Sequence, residues 1–280
     1  MYYFRRMRFP RGRKKALTFS YDDDVVFNER LMEIFDRNGL KGTFNLNFGL
    51  FASPEAKSTR RMTAEQAKLA FSGRNHEVAA HGYTHMPLGQ VPKNVATQDV
   101  LLDLLAGESL FGRIIRGMAY ADGSFNEESG EVLAQCGIDY CRTVRATGDF
   151  RLPKDWRYLD PTCHHDDERL FELADRFLEK DPSGDGWMFY VWGHAYEFED
   201  KNNWERIESF CEKMGNRPEI WYATNIEIHD YVRDYRRLIF SADGTKAYNP
   251  TATTLYFAVG ERKDPLEYEI KPGEQIEIVR

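Results

Sequence analysis

The sequence predicts an α/β protein folded as a (β/α) barrel of parallel strands, and three observations carry that expectation. Short apolar, β-rich runs alternate with segments of helical periodicity from Ala16 to Arg236, the pattern of parallel strands joined by helices. Acids and imidazoles (Asp22, Asp23, His81, His85 and His194) fall at the ends of the predicted strands. Barrels gather their functional groups at the C-terminal ends of the strands, which favours a barrel over a doubly wound layer with the same alternation. Beyond Leu238 the alternation stops, and turn signals divide short β-rich runs.

Ala16-Leu17-Thr18-Phe19-Ser20-Tyr21 reads as a buried strand. Asn28 to Asn38 carries Leu31, Met32, Ile34 and Phe35 on one helical face and ends at Gly39, a good residue after a helix. Gly42–Asn47 is the next strand, and Thr63-Ala64-Glu65-Gln66 opens a helix with a capping box. Then follow a strand over Glu77–Ala80, a helix around Lys93–Leu105 and a short strand near Arg113–Met118. Glu127–Cys136 is helix, Ile138–Val144 strand, Glu168–Leu178 helix and Trp187–Trp192 strand. Trp204–Met214 is helix, Ile220–Ala223 strand and Ile226–Arg236 helix. The expected division is a barrel over residues 1–237 and a small antiparallel β extension over 238–280 packed against it, too short to build a core alone.

The chain has 280 residues, 42% hydrophobic and 14% aromatic, enough for a sizeable core and too apolar for disorder. A formal net charge of −7 argues against bulk nucleic-acid binding. The basic run of Arg5, Arg6, Arg8, Arg11, Arg13, Lys14 and Lys15 reads as a solvated lead-in to the first strand. No apolar stretch has the ~18–20 residues of a membrane helix, and no signal-peptide core is present, so no membrane partner is expected and the expected location is cytoplasmic. Cys136, Cys141, Cys163 and Cys211 lack paired spacing and fit reduced thiols.

The chemistry lies in Asp22-Asp23 and in His81 and His85, four residues apart. Two such histidines point the same way and can share one cation. With one carboxylate they make a triad that leaves coordination positions open, and the other carboxylate is free to act as a base. The residues therefore point to a metal-dependent hydrolase. Pro161-Thr162-Cys163-His164-His165-Asp166-Asp167 is a second polar cluster. Adjacent histidines point apart in extended chain, so one of them at most is expected to line a pocket, as a substrate-binding or supporting residue rather than a second metal site.

Thr18-Phe19-Ser20-Tyr21-Asp22-Asp23-Asp24, His81-Gly82-Tyr83-Thr84-His85, Arg116 through Gly123, and Val191-Trp192-Gly193-His194 occur in the order of the polysaccharide deacetylase family, carbohydrate esterase family four or the NodB-homology domain. The chain resembles that family from about residue 16 to residue 230. The resemblance implies a distorted (β/α) barrel of about seven parallel strands and removal of acetyl groups from sugars with one divalent metal. It implies Asp22 as general base, His194 as general acid, and Asp23, His81 and His85 as metal ligands. Zinc is the first choice, with cobalt, nickel or manganese also accepted by such a site. Arg116 resembles the family's base-orienting arginine, and Asp155-Trp156 is similar to the motif whose acid tunes the histidine. A backbone N–H near Tyr120–Gly123 would hold the oxyanion. Tyr83, Tyr120, Asp122, His164 and Trp192 are the candidates for substrate contact, with Tyr196 a further aromatic beside the motif.

Two departures from the family pattern matter. Asp24 stands where a glycine is usual, and its charge is expected to raise the pKa of Asp22 or to offer the metal another ligand. Ala121-Asp122-Gly123 replaces a proline–aromatic–glycine run, so the pocket gains a carboxylate and loses a rigid wall. The expected function is deacetylation of an N-acetylated sugar, oligosaccharide or small amide. The alternatives are hydrolysis of another non-peptide C–N bond, as in the allantoinase-like branch, and a carbohydrate- or metal-binding protein without turnover.

Overall fold

The computed structural model describes residues 5–56, 60–261 and 265–279. The strands and helices in chain order are β1 (Arg5–Arg8), β2 (Lys15–Asp22), α1 (Asn28–Arg37), β3 (Gly42–Leu46), α2 (Ala64–Ala70), β4 (Glu77–Ala80) and α3 (Lys93–Phe111). Next come β5 (Gly117–Ala119), α4 (Glu127–Gln135), β6 (Tyr140–Arg142), β7 (Cys163–His164), α5 (Leu170–Glu179), β8 (Trp187–His194) and α6 (Ala195–Asp200). The chain continues through α7 (Trp204–Met214), β9 (Ile220–Tyr222) and α8 (Asn225–Tyr235) to five short strands. These are β10 (Ile239–Phe240), β11 (Lys246–Tyr248), β12 (Leu255–Val259), β13 (Leu266–Ile270) and β14 (Gln275–Glu277).

Seven parallel strands run in the order β6-β5-β4-β3-β2-β8-β7, and β9 adds to the first half of β2. The two edges meet through residues 159–164. Leu159 forms a parallel bridge with Arg142, and Thr162 N–H donates to Tyr190 O at 2.8 Å. The sheet thus curls into the expected distorted barrel. Its central strand β2 is buried at every residue, because it has partners on both edges and side chains packed on both faces. Phe19, Phe35 and Phe44 form part of the apolar layer between sheet and helices, with the Phe19 and Phe35 rings 4.5 Å apart.

Local sequence accounts for several ends. Thr63 caps α2 as expected: its hydroxyl accepts from Gln66 N–H at 3.2 Å and Gln66 Oε1 accepts from Thr63 N–H at 2.8 Å. Thr224 and Glu227 repeat the device at α8. Helix α3 runs six residues past the expected Leu105, to Phe111, and ends at Gly112 in left-handed backbone.

The C-terminal strands form two antiparallel three-stranded sheets, β1-β12-β13 and β10-β11-β14. One apolar cluster joins Ala16, Met188 and Tyr190 of the barrel to Tyr231 of α8 and to Phe257 and Ile270 of these sheets. The N-terminal basic run is not a solvated lead-in. Arg5–Arg8 pairs antiparallel with β12, and Arg8 is 2% exposed, bonded to Glu267, Met7 O and Gly184 O. Charge in that strand is tolerated because each buried guanidinium finds acceptors. Among the described residues, no helix is long and apolar enough to cross a membrane.

Candidate active site

Strand register assembles the site. Asp22, the last residue of β2, lies opposite Asn45 of β3 on one side and His194 of β8 on the other. Asn45 Nδ2 donates to Asp22 Oδ1 at 2.8 Å, and Arg142 donates to Oδ2. The Nε2 atoms of His81 and His194 stand 3.7 and 3.8 Å from Oδ2. Burial pushes the pKa of Asp22 up, but Arg142, the two histidines and Asn45 together hold it below the ordinary carboxylate range.

Asp23 follows in left-handed backbone at φ 69°, which turns its carboxylate away from the strand. Asp23, His81 and His85 bring their ligand atoms within 4.8 Å of one another. His81 Nδ1 lies 2.9 Å from Ala119 O and so carries the proton, leaving Nε2 as the lone-pair donor toward the site. Burial lowers the pKa of His81, which keeps it neutral, as a ligand must be. Asp23 Oδ1 is buried without a hydrogen-bond partner among the described residues, and the Arg61 guanidinium is 3.7 Å away. An orphaned carboxylate oxygen beside two imidazoles fits a divalent metal.

The turn carrying both histidines is held from below. Asp103 of α3 accepts from Phe48, His81 and Gly82 N–H at 2.9, 3.0 and 2.8 Å, and Asn47 Nδ2 donates to His81 O and Gly82 O. Burial pushes the Asp103 carboxyl up to about 7. Asp99, one turn earlier on α3, binds Thr84 through its N–H and hydroxyl. Gly82 sits at φ 85°, where a side chain would be strained and would crowd Asp99.

His194 Nδ1 donates to Glu197 Oε1 at 2.6 Å. Burial opposes charge on His194, yet Glu197 and Asp22 outweigh it and the pKa is raised. The same carboxylate draws in His164 Nε2 at 3.3 Å, His165 Nε2 at 3.5 Å and Lys201 Nζ at 3.2 Å. Burial alone would raise the pKa of Glu197, but the three histidines hold it far below its usual range.

Several expectations are corrected by these positions. Arg116 precedes β5, at the end of the strand away from the site, and binds Asp230 and Asp139. The guanidinium on Asp22 belongs to Arg142 of β6, fully buried, with its carbon 4.2 Å over the Trp192 ring. Asp155 is bound by Arg157, and Glu197 stands on His194 in its place. Asp24 is bound by Arg61, and burial pushes its carboxyl up to about 6. Asp23, not Asp24, takes the left-handed turn.

His164 and His165 both reach one carboxylate, because β7 ends between them and the chain turns. Tyr120 is buried, with its hydroxyl donating to Arg157 O at 3.0 Å, so its ring offers no substrate surface. Asp122 is exposed at φ 53°. Tyr83 is half-buried against Gly49, and Trp192 lies between Arg142 and the rings of His164 and His194. Tyr196 lies beside His194, with ring centroids 5.0 Å apart. Cys163 is buried, and its thiol is pushed up to about 12, which leaves it inert.

Sequence reasoning missed Arg142, Glu197, Asn45 and the Asp99–Asp103 pair. Arg142 and Asn45 had a signal, since each is polar inside a run that reads as buried strand. Asp99 and Asp103, four apart, share the buried face of α3.

A parallel barrel that collects acids, imidazoles and a candidate metal triad where its strands end has the form of a barrel enzyme. Comparison with known proteins says what the chain is similar to. Residues 10–141 match the sequence family described as polysaccharide deacetylase. A putative polysaccharide deacetylase from Mycobacterium smegmatis superposes with a TM-score of 0.59 at 16% identity, over 82% of this chain and 94% of that one. A mutant of a carbohydrate esterase family four pseudoenzyme from Bacillus anthracis, described as having restored enzymatic activity, superposes at 0.51, with 16% identity over 80% and 70% of the two chains. A Streptococcus pyogenes deacetylase solved with acetate is matched at 19% identity over 50% of this chain, which spans 61% of that protein, with a TM-score of 0.45. No curated protein sequence matches the chain. The resemblance carried by the motifs is thereby shown: residues 10–141 match the polysaccharide deacetylase family, and the fold is that of its solved members.

Proposed function

We propose that this protein is a metal-dependent hydrolase that removes an acetyl group from an N-acetylated sugar or oligosaccharide. The observation that carries the reading is the convergence of Asp23, His81 and His85 within 4.8 Å, directly beside a buried Asp22 flanked by His194. A divalent ion held by those three residues, zinc by first choice, would supply a Lewis acid for the acetyl carbonyl and an acidified water.

The chain's own residues then divide the proton work. Asp22 stays ionised under the influence of Arg142 and accepts the proton of the attacking water at Oδ2. His194, with Nδ1–H fixed on Glu197, presents Nε2 to the leaving nitrogen and gives it a proton. Tyr120 N–H is spent on Arg142 O and Gly123 N–H on Tyr120 O, so the backbone donors for the oxyanion are those of Ala121 and Asp122. Trp192, half-buried beside His164 and His194, offers a ring face to a sugar.

The test is acetate release from a panel of N-acetylated sugars by protein stripped with chelator and reloaded with zinc or cobalt. Release should require metal and vanish in Asp22→Asn. A second reading, a carbohydrate- or metal-binding protein without turnover, is favoured by the fact that both Asp22 oxygens already accept hydrogen bonds. Stoichiometric metal with no release from any sugar or other amide would establish that reading instead.

A further inference from the structure

Glu197 gathers more nitrogen and oxygen donors than an acid serving one histidine needs. His164, His165, Asp166 and Glu197 all bring ligand atoms within 4.8 Å of one another. The separations are 3.3 Å (His164 Nε2 to Glu197 Oε1), 3.5 Å (His165 Nε2 to Glu197 Oε2) and 3.6 Å (His165 Nε2 to Asp166 Oδ1). All are long for hydrogen bonds. They are close to the edge of a tetrahedron whose centre-to-corner bonds are about 2.0–2.1 Å, an edge of about 3.3–3.4 Å.

A second observation comes from His165. Its ring is fully buried, stacked on Tyr21 and packed on Phe198, and neither ring nitrogen has a hydrogen-bond partner among the described residues. Room for that ring exists only because residue 193 is glycine: a Cβ there would lie 2.0 Å from Nδ1. A buried imidazole in that condition normally finds an acceptor, a water or a metal.

We propose that His165, Asp166 and Glu197 form a second binding site for a divalent transition-metal ion, with His164 as a replaceable fourth ligand. The donor set of imidazole and carboxylate selects zinc or cobalt over magnesium or calcium. Asp166 N–H donates to His164 Nδ1 at 3.2 Å, so the proton of that ring sits on Nε2. His164 therefore coordinates only after its ring turns, and for that reason it is the dispensable member.

Lys201 sets the affinity. Its ammonium binds both Asp166 and Glu197, and so holds the place of a cation between two of the three principal ligands. A metal must displace it. Lys201 is half exposed and can swing into solvent, which makes the site weaker than the Asp23–His81–His85 triad rather than closed. The proposal does not depend on the hydrolytic reading, because it concerns binding alone.

The experiment is zinc binding to the chelator-stripped full chain by calorimetry, with cobalt absorption spectra as an independent readout of ligand geometry. Wild type should take up two ions, the second more weakly. Asp166→Asn should keep the first and lose the second. Lys201→Met, a change at an exposed side chain that leaves the fold intact, should tighten the second by roughly tenfold by removing the competing charge. His85→Gln should lose the first ion and keep the second. The proposal is overturned if wild type and Lys201→Met both saturate at one ion, or if a second ion binds equally well in Asp166→Asn.

Discussion

The replacement of Arg142 by methionine separates a residue that holds the site from one that only resembles such a residue. Arg142 is fully buried and Asp22 is 2% exposed, so the substitution leaves a carboxylate in a low-dielectric place without its main partner. Breaking a buried pair from one side costs about 3–5 kcal/mol. Arg116 is the contrast: it and its acidic partners are about a third exposed, and partly solvated pairs contribute about 1 kcal/mol or less each. Urea unfolding of the chelated protein reads both losses.

The sign of the pH dependence follows from Asp22. In wild type its pKa lies below the ordinary value, so its contribution to stability is present above the unfolded-state pKa and disappears as pH falls through the folded-state value. Without Arg142, burial dominates and raises that pKa, and the contribution is then lost as pH rises instead. The stability gap between wild type and Arg142→Met should therefore widen as pH rises from the acidic side of the ordinary carboxylate range toward neutral. The proposed deacetylation should fall about 100-fold in Arg142→Met through misplacement of Asp22 as the proposed base, and little in Arg116→Met. Equal and mild losses in the two variants, or a larger loss of turnover in Arg116→Met, would refute the assignment.

Glu197→Gln should lower the pKa of His194, whose elevation depends on that carboxylate, and so shift the limb of the rate profile that reports the general acid toward lower pH. The ion bound at the first site should be retained, which metal analysis checks. Tyr120→Phe should cost about 1 kcal/mol by removing its bond to Arg157 O, with KM unchanged because the ring does not meet substrate. Asp24→Asn should gain on wild type in chelated protein as pH rises through about 6, since a buried carboxyl with a raised pKa loses its contribution on ionising. A gap between these last two proteins that stays constant with pH would show that Asp24 does not titrate in that environment.

The barrel and the Asp23–His81–His85 cluster were legible because both are written locally. The strands that carry it are short, largely apolar runs, and Asp22, Asp23, His81 and His85 lie within a few residues of the ends of two of them. What stayed hidden depends on which strand lies beside which. The nearest arginine in sequence to the third motif is Arg116, yet it enters β5 from the end away from the site, whereas Arg142 leaves β6 at the same level as Asp22 leaves β2. Only the closure of the sheet through residues 159–164 makes that proximity visible. The pairing of β1 with β12 is likewise a contact between the two ends of the chain that no local pattern records.

The same reasoning bears on how activity should be judged in a chain that departs from the motifs it resembles. The requirements of the proposed mechanism are positional: a cation on Asp22, an acid on the imidazole opposite it, and three donors gathered beside them. Arg142 meets the first from β6, and Glu197 meets the second from α6, one helical turn after His194. Neither sits where the motif order would put it. Loss of a motif residue is therefore weak evidence for loss of function until the neighbours of Asp22 have been inspected, and a retained motif residue such as Arg116 is equally weak evidence for its role. The paired substitutions at residues 116 and 142 decide the matter because motif and geometry predict opposite orders of damage.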